Sequence, residues 1–149
     1  MLSGKLVQTI EDHWKDIAAR VILKLRAHPE TPRLAERSDA EIRDWCEDIL
    51  ANLSGWLSVS HAEEARRRYE ASGKARFHEE IPLHEAVLRL QILKEAVIDF
   101  VHEEWIPMDT MQLYAEEELE RRVSRFFDSL VYYVVYGYEK ARNLATKYA

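Results

Sequence analysis

At 149 residues the chain is one ordinary domain long, and a domain of that size buries roughly 68–70% of its unfolded surface, so it folds without disulfide or metal staples. Hydrophobic residues make up 47% and charged residues 32%, with only four Gly and four Pro, which excludes a disordered chain and suits a packed helical one. The formal charge of -6, from 27 acidic against 21 basic residues, excludes a long-range positive field, so neither nucleic acid nor an anionic membrane is expected as a partner.

Apolar residues recur at helical spacing almost throughout, and strict period-two alternation is never sustained, so the expected fold class is all-α, a bundle of about five to six helices. The first helix is expected from about Leu2 to Ala27, carried by Leu6, Val7, Ile10, Trp14, Ile17, Val21 and Leu25. "HPETPR" ends it, because Pro29 and Pro32 cannot continue the hydrogen-bond ladder. Glu11, Asp12 and Asp16 interrupt the apolar core that a signal peptide would need, so export by that route is not expected. The single cysteine, Cys46, rules out an intrachain disulfide and fits a reducing cytoplasm.

A second helix opens at "SDAE", where Ser38 caps the free amide three residues on and Glu41 reaches back, and its stripe is Ile42, Trp45, Cys46, Ile49, Leu53, Trp56 and Leu57. "SHAE" repeats the pattern at Ser60 and Glu63. It predicts a short third helix through Ala62, Ala65 and Tyr69 to about Ser72, with Gly73 as its C-terminal cap. "KARFHEEI" follows as a connector or one more short helix. Pro82 then suits the first turn of a fourth helix, whose face is Leu83, Ala86, Val87, Leu90, Leu93, Val97, Phe100 and Val101 and which Pro107 stops.

Asp109 is expected to cap the last and longest helix, which reaches the end of the chain. At about 100° per residue, Leu119, Phe127, Leu130, Val134 and Ala141 fall within roughly 40° of Val123 and form its core face. The opposite side carries Arg121, Arg125 and Asp128 and then changes to Tyr132, Val135 and Tyr136. A covering helix of the same chain or tyrosines with wetted hydroxyls would explain the change. So would a subunit interface, since an apolar patch rimmed by charge marks association, and these three residues are expected at the interface of a twofold homodimer. The greasy run is broken by Gly137 and falls short of the roughly 18–20 apolar residues that span a bilayer, so membrane insertion is not expected. No linker or repeat divides the elements, and residues 1–149 are read as one domain.

No constellation carries a recognisable reaction, and no catalytic, cofactor-binding or metal residue is assigned. "HEEIPLHE" crowds His78, Glu79, Glu80, His84 and Glu85, but Pro82 interrupts it and only Glu80 and His84 have ligand spacing. Asp99 and His102 form one half of a di-iron-type motif whose second half is missing. Cys46 lies on an apolar helical face with nothing near it in sequence to lower its pKa. Arg66, Arg67 and Arg68 are interleaved with Glu63, Glu64 and Glu70, as on a solvated helix. Arg76 and Lys94 flank the start and the apolar edge of the fourth helix, where they could meet an acidic partner or a small anionic ligand; a lysine there also lays its stem on the core and lifts its ammonium to water.

"IEDHWKDIAARVILKLR", "SDAEIRDWCEDILANLSGWL" and above all "RFHEEIPLHEAVLRLQILKEAVIDFV", followed by the long final helix, resemble the N-terminal sensor domain of RsbR and RsbRD-type proteins, found in stressosome regulators and ahead of some bacterial histidine kinases. The resemblance covers nearly the whole chain and implies a globin-like fold that has lost haem, a dimer formed partly through terminal helices, and a signalling role with no reaction of its own. Members hand their signal to an output domain; this sequence stops at "NLATKYA", so either a sensor acting on a protein partner in trans or a fragment of something longer is expected. The alternative is a haem- or metal-binding gas or redox sensor. Haem would need an inward histidine, and His84 and His102 lie off the apolar stripe while His78 precedes the helix.

Overall fold

The structure, a computed structural model, describes residues 2–148. Eight α-helices and one 3-10 turn follow one another with no strand among the described residues, an all-α bundle ending in a long helix. The helices are α1 (Leu2–Asp12), α2 (Trp14–Ala27), α3 (Pro32–Ala35), α4 (Asp39–Leu50), α5 (Leu53–Trp56), α6 (Ala62–His78), α7 (Leu83–Glu104) and α8 (Thr110–Tyr148), with the 3-10 turn Val59–His61 before α6. Six of them have eleven residues or more, and α3 and α5 are single turns.

The first expected helix is two. At His13 the backbone leaves helical geometry (φ -113°, ψ 23°), and the imidazole Nδ1 joins the His13 amide on the Thr9 carbonyl at 2.9 Å. A side chain that competes for a backbone acceptor loosens the ladder. The resulting bend lets Ile10 of α1 and Ile17 of α2 both sit in the core. Past α2, the Thr31 hydroxyl donates to the Leu25 carbonyl at 2.8 Å, and the buried carboxylate of Glu85 accepts from the Arg33 and Leu34 amides at 2.9 and 3.1 Å, capping α3 from α7.

Ser38 caps α4 as expected, accepting from the Glu41 amide at 3.1 Å, while the Glu41 carboxylate pairs with Arg37 at 3.2 Å instead of reaching back. The second "capping box" is not one: the Ser60 hydroxyl engages Ser58 and His61, and α6 begins at Ala62. Nor does Gly73 end that helix. It is buried mid-helix, and α6 runs on to His78, so of the segment expected as a connector or one more short helix, residues 74–78 continue the same helix and residues 79–81 form the turn. A Cβ at Gly73 would stand 2.9 Å from the Tyr138 amide nitrogen and closer still to the Val134 carbonyl, and one at Gly137 would stand 2.8 Å from the Glu70 Cα. The two glycines are where α6 and α8 approach backbone to backbone. Here glycine serves contact rather than a turn.

The stop of α6 comes instead at Glu80, which adopts φ 60°. The Glu80 amide bonds the Phe77 carbonyl and the Ile81 amide the Arg76 carbonyl, both at 3.0 Å, the paired bonds of a left-handed helix end. Pro82 then precedes α7 as its N-cap. Asp109 caps α8 through its carboxylate on the Gln112 amide at 2.8 Å. Leu119, Val123, Phe127, Leu130, Val134 and Ala141 are buried, so the core face of α8 is the one its periodicity predicts. Helix α7 is central: it packs on α8, α2, α1, α3 and α6, and its buried residues extend beyond the predicted stripe to Glu85, Arg89 and Ile92.

Candidate functional site

Arg76 and Lys94 take different surroundings. Lys94 on α7 reaches Asp128 on α8 at 3.6 Å. Arg76, in the last turn of α6, instead meets Arg37 from the segment just before α4 and Arg89 from the middle of α7, and the three line a cavity of about 150 Å³ with Leu34, Glu41, Ile42 and Trp45. Glu79, the first residue past α6, bridges two of them, pairing with Arg37 and with Arg76 at 2.6 Å. Burial works against its charge, but Arg76 and Arg37 outweigh that and hold its carboxyl below the usual range.

Arg89 is the exception in this group. It is only 9% exposed, and among the described residues no carboxylate pairs with it and its guanidinium makes no hydrogen bond. Its Nε, like that of Arg76, is fully buried without a partner. What it has is the face of Trp45, with the guanidinium carbon 4.3 Å from the ring centroid. Burial, reinforced by repulsion from Arg76 and Arg37, lowers its pKa to about 9, so it remains a cation at neutral pH.

On α8 the three residues expected at an interface are not equivalent. Tyr132 is 64% and Tyr136 46% exposed, with stacked rings 6.3 Å apart and the Lys140 ammonium 6.0 Å from the Tyr136 centroid. Val135 is half-buried beside them. No helix of the described chain covers the two rings, whereas Tyr138 is partly buried and bonded to the Ile81 carbonyl. Arg121, Arg125 and Asp128 are exposed, as a solvated face requires.

A third grouping escaped the sequence. His102 of α7, with Glu116 and Glu120 of α8, brings one imidazole nitrogen and two carboxylate oxygens within 4.8 Å of one another. The imidazole meets Glu120 directly and Glu116 at 3.4 Å, and Glu116, 7% exposed, keeps Oε2 buried and unpartnered. Asp99, the expected companion of His102, pairs with Lys24 at 3.1 Å instead. The signal available beforehand was the four-residue spacing of Glu116 and Glu120, which sets both on one helical face.

The remaining sequence motifs disperse. In "HEEIPLHE", Glu79 turns to the arginines, Glu80 makes the turn, Glu85 caps α3 and His84 stands 3.8 Å from Glu30. Arg66 pairs with Glu63 at 2.6 Å and Arg68 with Asp48 at 2.8 Å. None of the six histidines is buried. Cys46 is, and burial pushes its thiol up to about 12.

The described chain is thus an all-helical module with a cationic cavity between helices and an exposed aromatic pair on a long terminal helix. The chain belongs to the family described as the RsbT co-antagonist protein rsbRD N-terminal domain, whose model matches residues 15–146, a family of stressosome-type signalling domains. No curated protein and no solved structure matches the chain. No helix among the described residues is long and apolar enough to cross a membrane.

Proposed function

We propose that this domain is a non-catalytic, cytoplasmic sensor of bacterial signal transduction that works as a homodimer and relays a change in helix packing to a protein partner. The observation that carries the reading is the exposed Tyr132–Tyr136 stack on α8, on the side opposite the buried Val123 and Val134. Two apolar faces on one helix call for two partners, and only one is supplied by the described residues. Val135 widens the same face. Cys46, whose buried thiol stays protonated, is removed as a nucleophile. Sedimentation tests the dimer: the wild type is expected to be dimeric at micromolar concentration and the Tyr132→Glu, Tyr136→Glu double variant monomeric with an unchanged far-UV spectrum. A double variant that stays dimeric removes this interface.

One observation favours a second reading, a metal-responsive sensor. His102, Glu116 and Glu120 offer the mixed imidazole–carboxylate donors that suit zinc, iron(II) or manganese, and the buried Glu116 Oε2 is a free donor atom beside them. Titration with zinc, followed by calorimetry, separates the readings. Stoichiometric binding abolished by Glu116→Gln would put metal sensing first; absence of binding to the wild type would leave the cluster a polar side-chain contact between α7 and α8.

A further inference from the structure

We propose that the cavity bounded by Arg37, Arg76 and Arg89 is a binding site for a small tetrahedral oxyanion, inorganic phosphate or the phosphate group of a small monoester. Three guanidinium groups from three separate parts of the chain converge on one half-open cavity; Glu41, the acidic residue that lines it, is already engaged by Arg37, and Glu79, outside the lining, by Arg37 and Arg76. Glu85, one turn before Arg89, is turned away to the α3 amides. Arg89 is therefore left without a carboxylate partner, nine-tenths buried and with its Nε lacking an acceptor. A buried charge is retained where it is paired, and removing its counter-charge is strongly unfavourable. Guanidinium geometry matches phosphate oxygens two at a time, which a lysine cannot reproduce.

Size narrows the ligand. At about 150 Å³ the cavity is half the lower limit of roughly 300 Å³ usual for drug-sized ligands, so a nucleotide is too large and a single phosphate group is not. Leu34 and Ile42 wall one side, and the Trp45 ring holds the Arg89 guanidinium from another, so the donors are preset instead of being gathered by the ligand. An anion here also competes with Glu79 for Arg37 and Arg76. Glu79 opens the turn whose Ile81 carbonyl receives Tyr138, so the ligand would act on the segment that fastens α8.

The site does not depend on the dimer reading, because every residue in it belongs to one chain. Calorimetric titration of the full chain at matched ionic strength, with sodium phosphate and separately with glycerol phosphate, tests it in either oligomeric state. One equivalent is expected to bind saturably, at least tenfold more weakly in Arg89→Met, a variant that removes the charge while keeping an apolar side chain. Arg76→Gln, at a partly exposed position, is a second variant with the same expectation should the first not fold. The tighter of the two titrants names the source of the phosphate. The assignment is overturned if no binding of either titrant is seen up to 10 mM (on the order of 100-fold above a 0.1 mM dissociation constant), if acetate binds as well as phosphate, or if the variants bind undiminished.

Discussion

The phenolic hydroxyl of Tyr138 donates to the backbone carbonyl of Ile81 at 2.8 Å, fastening α8 to the turn between α6 and α7. The same turn is held from the other side by Arg33, whose guanidinium donates to the Glu80 carbonyl, and by the Glu79 pairs with Arg37 and Arg76. It is thus the point where the cationic cavity and the terminal helix meet. Tyr138→Phe deletes only the hydroxyl and keeps the edge-to-face contact with Phe77, 5.5 Å between centroids. Urea unfolding is expected to show a loss of about 1 kcal/mol, the usual net value of one such bond. An unchanged midpoint would mean that water replaces the phenol at that carbonyl without loss.

Gly73 and Gly137 set the distance between α6 and α8. At each, an added methyl would overlap backbone atoms of the other helix, and backbone cannot rotate away as a side chain can. Gly137→Ala and Gly73→Ala are each expected to lower stability by roughly 3 kcal/mol or more, at the upper end of overpacking effects. Gly55→Ala is the control. It has nothing within 4 Å of the new methyl and lies in the single-turn helix α5, where alanine is favoured over glycine by roughly 0.5–1 kcal/mol. Thermal melts should therefore move down for the first two variants and up for the third.

The same glycines show what a sequence reveals of this fold and what it hides. The core face of α8 and the cap at Ser38 are local: one helix and its nearest amides decide them, so periodicity and spacing suffice. Gly73 is different, since its role is set by Val134 and Tyr138, far along the chain, and in isolation it reads as a helix stop. The true stop at Glu80 carries no glycine to announce it. Arg89 was hidden for a related reason. A central helix buries more than one stripe, and Glu85, Arg89, Ile92 and Ala96, spaced by four, three and four residues, form a second buried row on α7 that a single-stripe reading assigns to solvent. Of the two residues set apart as anion contacts, Arg76 was placed by its neighbours in the cavity and Lys94 by an acid on α8, distinctions that only tertiary packing makes.

Cys46 gives stability a specific dependence on alkaline pH. Burial on α4 raises its thiol from 9.0 to about 12, with the nearby Arg89 charge opposing the shift only in part. Above pH 9 the unfolded chain releases this proton while the native chain keeps it. The unfolded state then binds fewer protons, so the stabilisation is fully present below pH 9 and is lost as pH rises toward 12. By pH 10 the loss amounts to about 1.4 kcal/mol. Cys46→Ala lacks the group. Its stability, lower at pH 7 because of the cavity left behind, should approach that of the wild type between pH 9 and 10. Denaturation at pH 7, 8, 9 and 10 measures both curves. In parallel, an aromatic disulfide reagent at pH 8 should label the native thiol no faster than the chain unfolds. Curves that stay parallel through pH 10, or rapid native labelling, would show that Cys46 is reached by water and that the core around Arg89 is open.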